Sequence, residues 1–162
     1  MKEIFNRLAA YNLWANRLLT GALEQLPEAD WHRPLGGSFT TVYETLLHIW
    51  NAESIWWQRM KLQEVVVPPA DARPEKAAVV KGLLQQSAQW QQWVQQATEV
   101  ALQHEFIYMN SKREAFKNPV HEVLSHLFNH GTYHRGQLVN YLRQLGAKTV
   151  PATDFIAFTR KK

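Results

Sequence analysis

Cysteine is absent from the 162 residues. That excludes disulfides, thiolate metal ligands and a cysteine nucleophile, so a metal must be held by His, Asp, Glu or water. Any thiol used in chemistry must arrive on a substrate. Long apolar runs are also missing: none approaches the roughly 18 residues that span a bilayer. The opening Met1-Lys2-Glu3-Ile4-Phe5-Asn6-Arg7 lacks the uninterrupted apolar core of a signal peptide. Both absences imply a cytoplasmic protein with no membrane contact. A strong charge of one sign is lacking too, because Arg160, Lys161 and Lys162 supply three of the four net positive charges. No basic stripe is interleaved with stacking aromatics, so nucleic acid is not an expected partner.

What is present is helical periodicity. A hydrophobic share of 46% with 20% charged residues suits one soluble domain over residues 1–162. A first helix is expected from about Lys2 to Gln25, with Ile4, Leu8, Tyr11, Ala15, Leu18 and Ala22 on its apolar face and Phe5, Asn12 and Leu19 beside them. Pro27, Pro34 and Gly36-Gly37 make a loop, after which Ser38 or Thr40 caps a second helix, about Thr41 to Leu62. On that helix Phe39, Tyr43, Leu46, Trp50, Glu53 and Trp57 fall in one arc, with His48 roughly opposite. Pro68, Pro69 and Pro74 make residues 65–74 a linker before a third helix, about Glu75 to Leu102.

Phe106-Ile107-Tyr108-Met109 and Arg113-Glu114-Ala115-Phe116 flank Asn110-Ser111-Lys112 as a short hairpin. Asn118 then caps a fourth helix, about Pro119 to Leu145, which Gly146 ends. The tail holds Pro151, and Thr153-Asp154 as a further cap. The fold class that follows is all-α, a four-helix bundle with a short β-hairpin between helices 3 and 4.

Chemistry concentrates in Ser125-His126-Leu127-Phe128-Asn129-His130-Gly131-Thr132-Tyr133-His134-Arg135-Gly136-Gln137. Histidines four apart share a helix face and can reach one metal ion. His126 and His134, about 12 Å apart along the axis, cannot. Against the apolar centre of the helix, His134 lies within about 40°, His130 near 80° and His126 near 120°. The inner pair is therefore 130/134, with Gln137 on the same side as an outer partner. Two core histidines bonded to carbonyls would give the same spacing. No HExxH, Ser-His-Asp or phosphate-cradling glycine pattern is present. Gly131 and Gly136, each costing about 1 kcal/mol inside a helix, imply close backbone packing or room for a ligand.

Several segments together resemble the DinB-like family of small metalloenzymes. Tyr11-Asn12-Leu13-Trp14-Ala15-Asn16 is similar to the family's first helix, and Leu46-Leu47-His48-Ile49 with Glu53 and Trp56-Trp57 to its second. Asn129-His130, Tyr133-His134-Arg135-Gly136-Gln137 and Leu142-Arg143-Gln144-Leu145-Gly146 are similar to its fourth, and Pro151 with Asp154 to its tail. The resemblance implies a divalent metal ion, zinc or nickel, held by His48, His130 and His134. It also implies a homodimer, which would cover the aromatic arc of the second helix. Three imidazoles leave coordination positions open, as in a catalytic site. The expected function is a metal-dependent transferase that joins a low-molecular-weight thiol to a small electrophile. A metal-dependent hydrolase and a non-catalytic dimeric stress-response protein, of the kind induced by DNA damage, are the alternatives. No role follows from the sequence for His126, Arg135 or Asp154.

Overall fold

The computed structural model describes residues 1–69 and 73–160. Residues 70–72 of the expected linker, and Lys161 and Lys162 of the basic tail, lie outside the described residues. Four long helices form the bundle: α1 (Lys2–Leu23), α3 (Val42–Met60), α4 (Lys76–Gln96) and α6 (Val120–Gln144). Shorter elements join or follow them: α2 (Glu28–Trp31), α5 (Glu99–Gln103), the strands β1 (Glu105–Met109) and β2 (Ala115–Pro119), and α7 (Phe155–Thr159).

The helices are arranged in the ring α1–α4–α3–α6, so α1 packs on α4 and α6, and α3 packs on the same two. The core falls into two apolar clusters. One gathers Leu19, Leu23, Trp31, Tyr43, Leu46, Ile49, Val79, Leu83, Leu138 and Leu142. The other gathers Phe5, Ala9, Trp90, Val94, Leu102, Phe106, Leu124, Leu127 and Phe128. Along the chain α1 and α6 pass from the second cluster to the first, whereas α3 and α4 pass the other way. The consecutive helices α3 and α4 are thus parallel, and their connection must return along the length of α3. It does so through Gln58, which bonds Val67 by both amide atoms at 2.7 and 3.0 Å, and through Tyr43, whose hydroxyl donates to the Pro74 carbonyl at 2.5 Å.

The aromatic arc of α3 is covered by α4 of the same chain. A Cβ on Gly82 would sit 2.2 Å from the Trp50 ring, Trp57 meets Trp90 edge-on at 5.1 Å, and Glu53 meets Ser87. His48, on the other side of α3, faces α6. On α1 the inward face is turned from the expected one. Ile4 is 63% and Leu18 39% exposed, while Asn12 and Asn16 are buried. The reason is that the bundle centre is polar at that level, so an apolar stripe does not mark it.

The third helix stops at Gln96 and does not run to Leu102. Thr98 accepts the Ala101 amide at 3.1 Å and starts α5 afresh. The cap of α3 is Thr41, which accepts from the Glu44 amide at 3.0 Å, while the Glu44 carboxylate accepts from the Thr40 amide at 3.2 Å. Thr40 is thus the outer half of a capping box one residue further on. Trp31, in the short α2 that the loop residues conceal, is fully buried.

The hairpin is antiparallel, pairing Glu105 with Pro119 and Met109 with Ala115. Its second strand is shifted toward α6 because Asn110 Oδ1 gathers the amides of Lys112 and Glu114 and lengthens the turn. The same shift puts Pro119, not Asn118, at the N-cap of α6; Asn118 instead donates to the Glu122 carboxylate at 2.8 Å. Gly146, at φ +69°, closes the other end, with the amides of Gly146 and Ala147 returning to the carbonyls of Arg143 and Leu142. Asp154 occupies the N-cap of α7 without a side-chain bond.

Candidate metal centre

Helix α3 presents His48 and helix α6 presents His130 and His134, one turn apart. One nitrogen from each ring lies within 4.8 Å of the other two. His48 Nε2 and His130 Nε2 are 2.9 Å apart across 82 residues of sequence. Two nitrogens bound tetrahedrally to an ion at about 2.0–2.1 Å are roughly 3.3 Å apart, so shifts of a few tenths of an ångström would open this pair around an ion. His134 is buried, and its Nδ1 lies 2.7 Å from Gln137 Oε1. An amide oxygen only accepts, so Nδ1 carries the proton and the Nε2 lone pair is free. Phe39 lies against the His48 ring at 4.1 Å and meets His134 edge-on at 5.7 Å, walling the centre with hydrocarbon.

Burial pulls the pKa of His48 down to about 4, helped by His134, and that of His130 to about 4, helped by His134, His48 and His126. Both rings are therefore neutral at pH 7, the form a metal requires. The donor set fits a borderline divalent ion: three imidazoles with no carboxylate among the described residues of the cluster. His126 is exposed and stands outside the triad, with its ring 5.7 Å from that of His130 and 5.5 Å from that of Trp56.

Behind the histidines lies a polar layer that sequence reasoning missed. It separates the two apolar clusters, and every long helix contributes to it. Arg135, only 1% exposed, donates from one nitrogen to Asn12 Oδ1 at 2.6 Å and Asn16 Oδ1 at 3.0 Å, and from another to Thr132 at 3.0 Å. Asn12, Asn16 and Ser87 in turn donate to the Glu53 carboxylate at 2.8, 3.3 and 2.8 Å. Burial pushes the Glu53 carboxyl up to about 7, against those three donors and the Arg135 charge. Gly131 is explained here: a Cβ would stand 2.9 Å from an Arg135 nitrogen and 3.0 Å from Asn12 Oδ1. Gly136 has nothing within 4 Å of that position, and nothing in the structure explains it. The signal was in the sequence, as Asn12 and Asn16 one turn apart and Gly131 four residues before Arg135.

The chain as a whole is similar to known proteins. The chain is 27% identical to protein DinB of Bacillus subtilis strain 168 over 164 residues, covering 96% of this chain and 93% of that one. Its fold matches that of YfiT from Bacillus subtilis, with a TM-score of 0.72 at 16% identity over 90% of each chain. YfiT is described as a probable metal-dependent hydrolase with an unusual four-helix bundle topology. The DinB family model matches residues 1–162, and the chain belongs to the DinB family.

Proposed function

We propose that this chain is a metal-dependent enzyme in which His48, His130 and His134 hold a divalent ion and leave positions open for a nucleophile. The observation that carries this reading is the convergence of three nitrogens from two helices within 4.8 Å, two of them on rings kept neutral by burial. A bound ion would acidify a water or thiol and polarise the electrophile. The protein's own part is to hold the three rings, fix the His134 tautomer through Gln137, and exclude water on the Phe39 side.

Between the two nucleophiles, a thiol is favoured by the surroundings. Among the described residues no carboxylate pairs with the three rings, which leaves the His126 ring, 5.7 Å from that of His130, as the base an attacking water would use. A thiol would need no such base, since coordination to an ion would deprotonate it outright whereas a bound water would be lowered only to near neutrality, and the chain has no cysteine that would compete for the ion. The reading is a transferase joining a small thiol to an electrophile. Hydrolysis is the second reading, favoured by the description of YfiT.

Metal analysis of purified protein should give about one ion per chain, and His130→Ala should abolish it; equal occupancy in both would end the metalloenzyme reading. Loaded and chelated protein, each given a small thiol and a test electrophile, would then be scored for conjugate against hydrolysis product. Conjugate formed only by the loaded protein supports the transferase.

A further inference from the structure

Arg59 is a charge that neither the metal centre nor the polar layer explains. Its guanidinium carbon lies 4.8 Å from the centre of the Trp56 ring and 5.6 Å from that of Tyr108, so two aromatic faces hold it. Its Nε is buried without a hydrogen-bond partner, and among the described residues no carboxylate pairs with it. Burial lowers its pKa from the ordinary value, so the cation is kept there against its preference for water. Nearby polar groups are already committed: the Tyr108 hydroxyl donates to Asn118 at 2.9 Å, and Asn118 donates to Glu122 at 2.8 Å.

The position is as informative as the orphaned donor. Arg59 follows His48 by 11 residues, three helical turns, which returns it to within about 20° of the same face of α3. Its head lies back over Trp56, which is about 12 Å along the axis from His48 at 1.5 Å per residue. Trp56 meets His126 at 5.5 Å, and His126 meets His130 at 5.7 Å. A row of rings thus runs from the guanidinium to the metal centre, and Ala52, the smallest residue on that side of α3, lies between its ends. An arginine merely covering a tryptophan would need neither this alignment nor a buried unpaired donor.

We propose that Arg59 anchors a carboxylate of the substrate, so that the ligand class is a small carboxylic acid whose metal-seeking atom lies about 12 Å from its acid group, the axial separation of Trp56 and His48. Planar two-toothed donation suits a carboxylate, and the aromatic clamp orders the guanidinium before binding. The proposal rests on the metal reading above for the other end of the ligand.

The probes are ω-mercaptocarboxylic acids of graded chain length and their ω-mercapto alcohol counterparts. They are titrated onto cobalt-loaded protein and followed by the sulfur-to-cobalt absorption band. The acids should show an affinity maximum at the length that spans about 12 Å, absent from the alcohols. Arg59→Gln should weaken that best acid by about tenfold or more, leave the alcohol unchanged, and be partly rescued by Arg59→Lys. Equal binding of acid and alcohol, or indifference to Arg59→Gln, overturns the anchor while leaving the metal centre standing. A second arm needs no metal. In chelated protein the Arg59 Nε–H resonance should move on titration with nonanoate and stay still with nonanol. A resonance still in both refutes the anchor even if cobalt never binds, which would refute the metal reading separately.

Discussion

His134 differs from the other two histidines in having its second nitrogen occupied by Gln137. That bond fixes the tautomer and the ring plane, and partners of this kind contribute to metal affinity without touching the ion. Gln137→Leu is expected to weaken metal binding by about 10–100-fold in a chelator competition titration, with the fold unchanged by circular dichroism. Protonation belongs to this scale too. His48 and His130 titrate near 4 in the folded chain, below the ordinary 6.5 of the unfolded one, so between those values the unfolded state binds more protons. Their contribution to stability is therefore whole above pH 6.5 and lost as pH falls toward 4. Urea midpoints of the metal-free protein should drop over that window relative to a His48→Gln/His130→Gln variant, which lacks the effect. The inner pair of α6 was legible in the sequence because spacing and helix angle act within one helix. Which way His48 faced was not, since that depends on which neighbours flank α3.

At the scale of elements, backbone proximity does what hydrophobic pattern alone cannot show. Trp50 lies on Gly82, and an added Cβ would stand 2.2 to 2.6 Å from the indole. Gly82→Ala should destabilise the protein by about 1–3 kcal/mol through displacement of that ring, despite alanine's better helix propensity. Trp50→Leu in the same background should recover much of the loss, and chemical denaturation measures both. Thr98→Ala should cost about 1 kcal/mol by removing the cap that restarts the chain after α4. The four long helices were readable because apolar periodicity persists for several turns in each. The break at Thr98, the one-turn α2 and the shifted strand β2 were not, because single side-chain bonds at caps and turns set those boundaries. On α1, Tyr11 and Ala15 of the expected face are buried, but the inward face is turned toward Phe5, Asn12 and Leu19 and takes in Asn16, which a hydrophobic pattern alone does not mark.

Over the whole molecule, the polar layer ties all four long helices at one level between the two apolar clusters. Its members are mutually dependent, so removing one leaves the others buried without partners. Arg135→Met should cost about 3 kcal/mol or more for that reason. Glu53 gives the layer a pH signature opposite in sign to that of the histidines. Its folded pKa, raised to about 7 from the ordinary carboxyl value of 4.5, means that the unfolded state holds fewer protons between those values. Its contribution is present below about 4.5 and lost as pH rises through 7. Glu53→Gln should flatten that part of the wild-type stability profile, measured by urea denaturation across pH 4 to 8. The ring order of the helices was not written in any one segment. The apolar clusters and the polar layer each draw on all four helices, so the order is set only when all four are present.

The placement of the three histidines on α3 and α6 also has a consequence in time. During synthesis His48 emerges 82 residues before His130, and the face that joins them exists only once the last long helix has docked. A metal ion therefore has no complete nest to enter while the chain is still being made or is only partly collapsed. An ion held there would act as a latch on a finished bundle, not as a seed for one. In stopped-flow experiments, loading with metal should slow unfolding by the full factor of the added stability and leave the refolding rate unchanged. Faster refolding with metal would mean that α3 and α6 meet before the rest of the bundle closes.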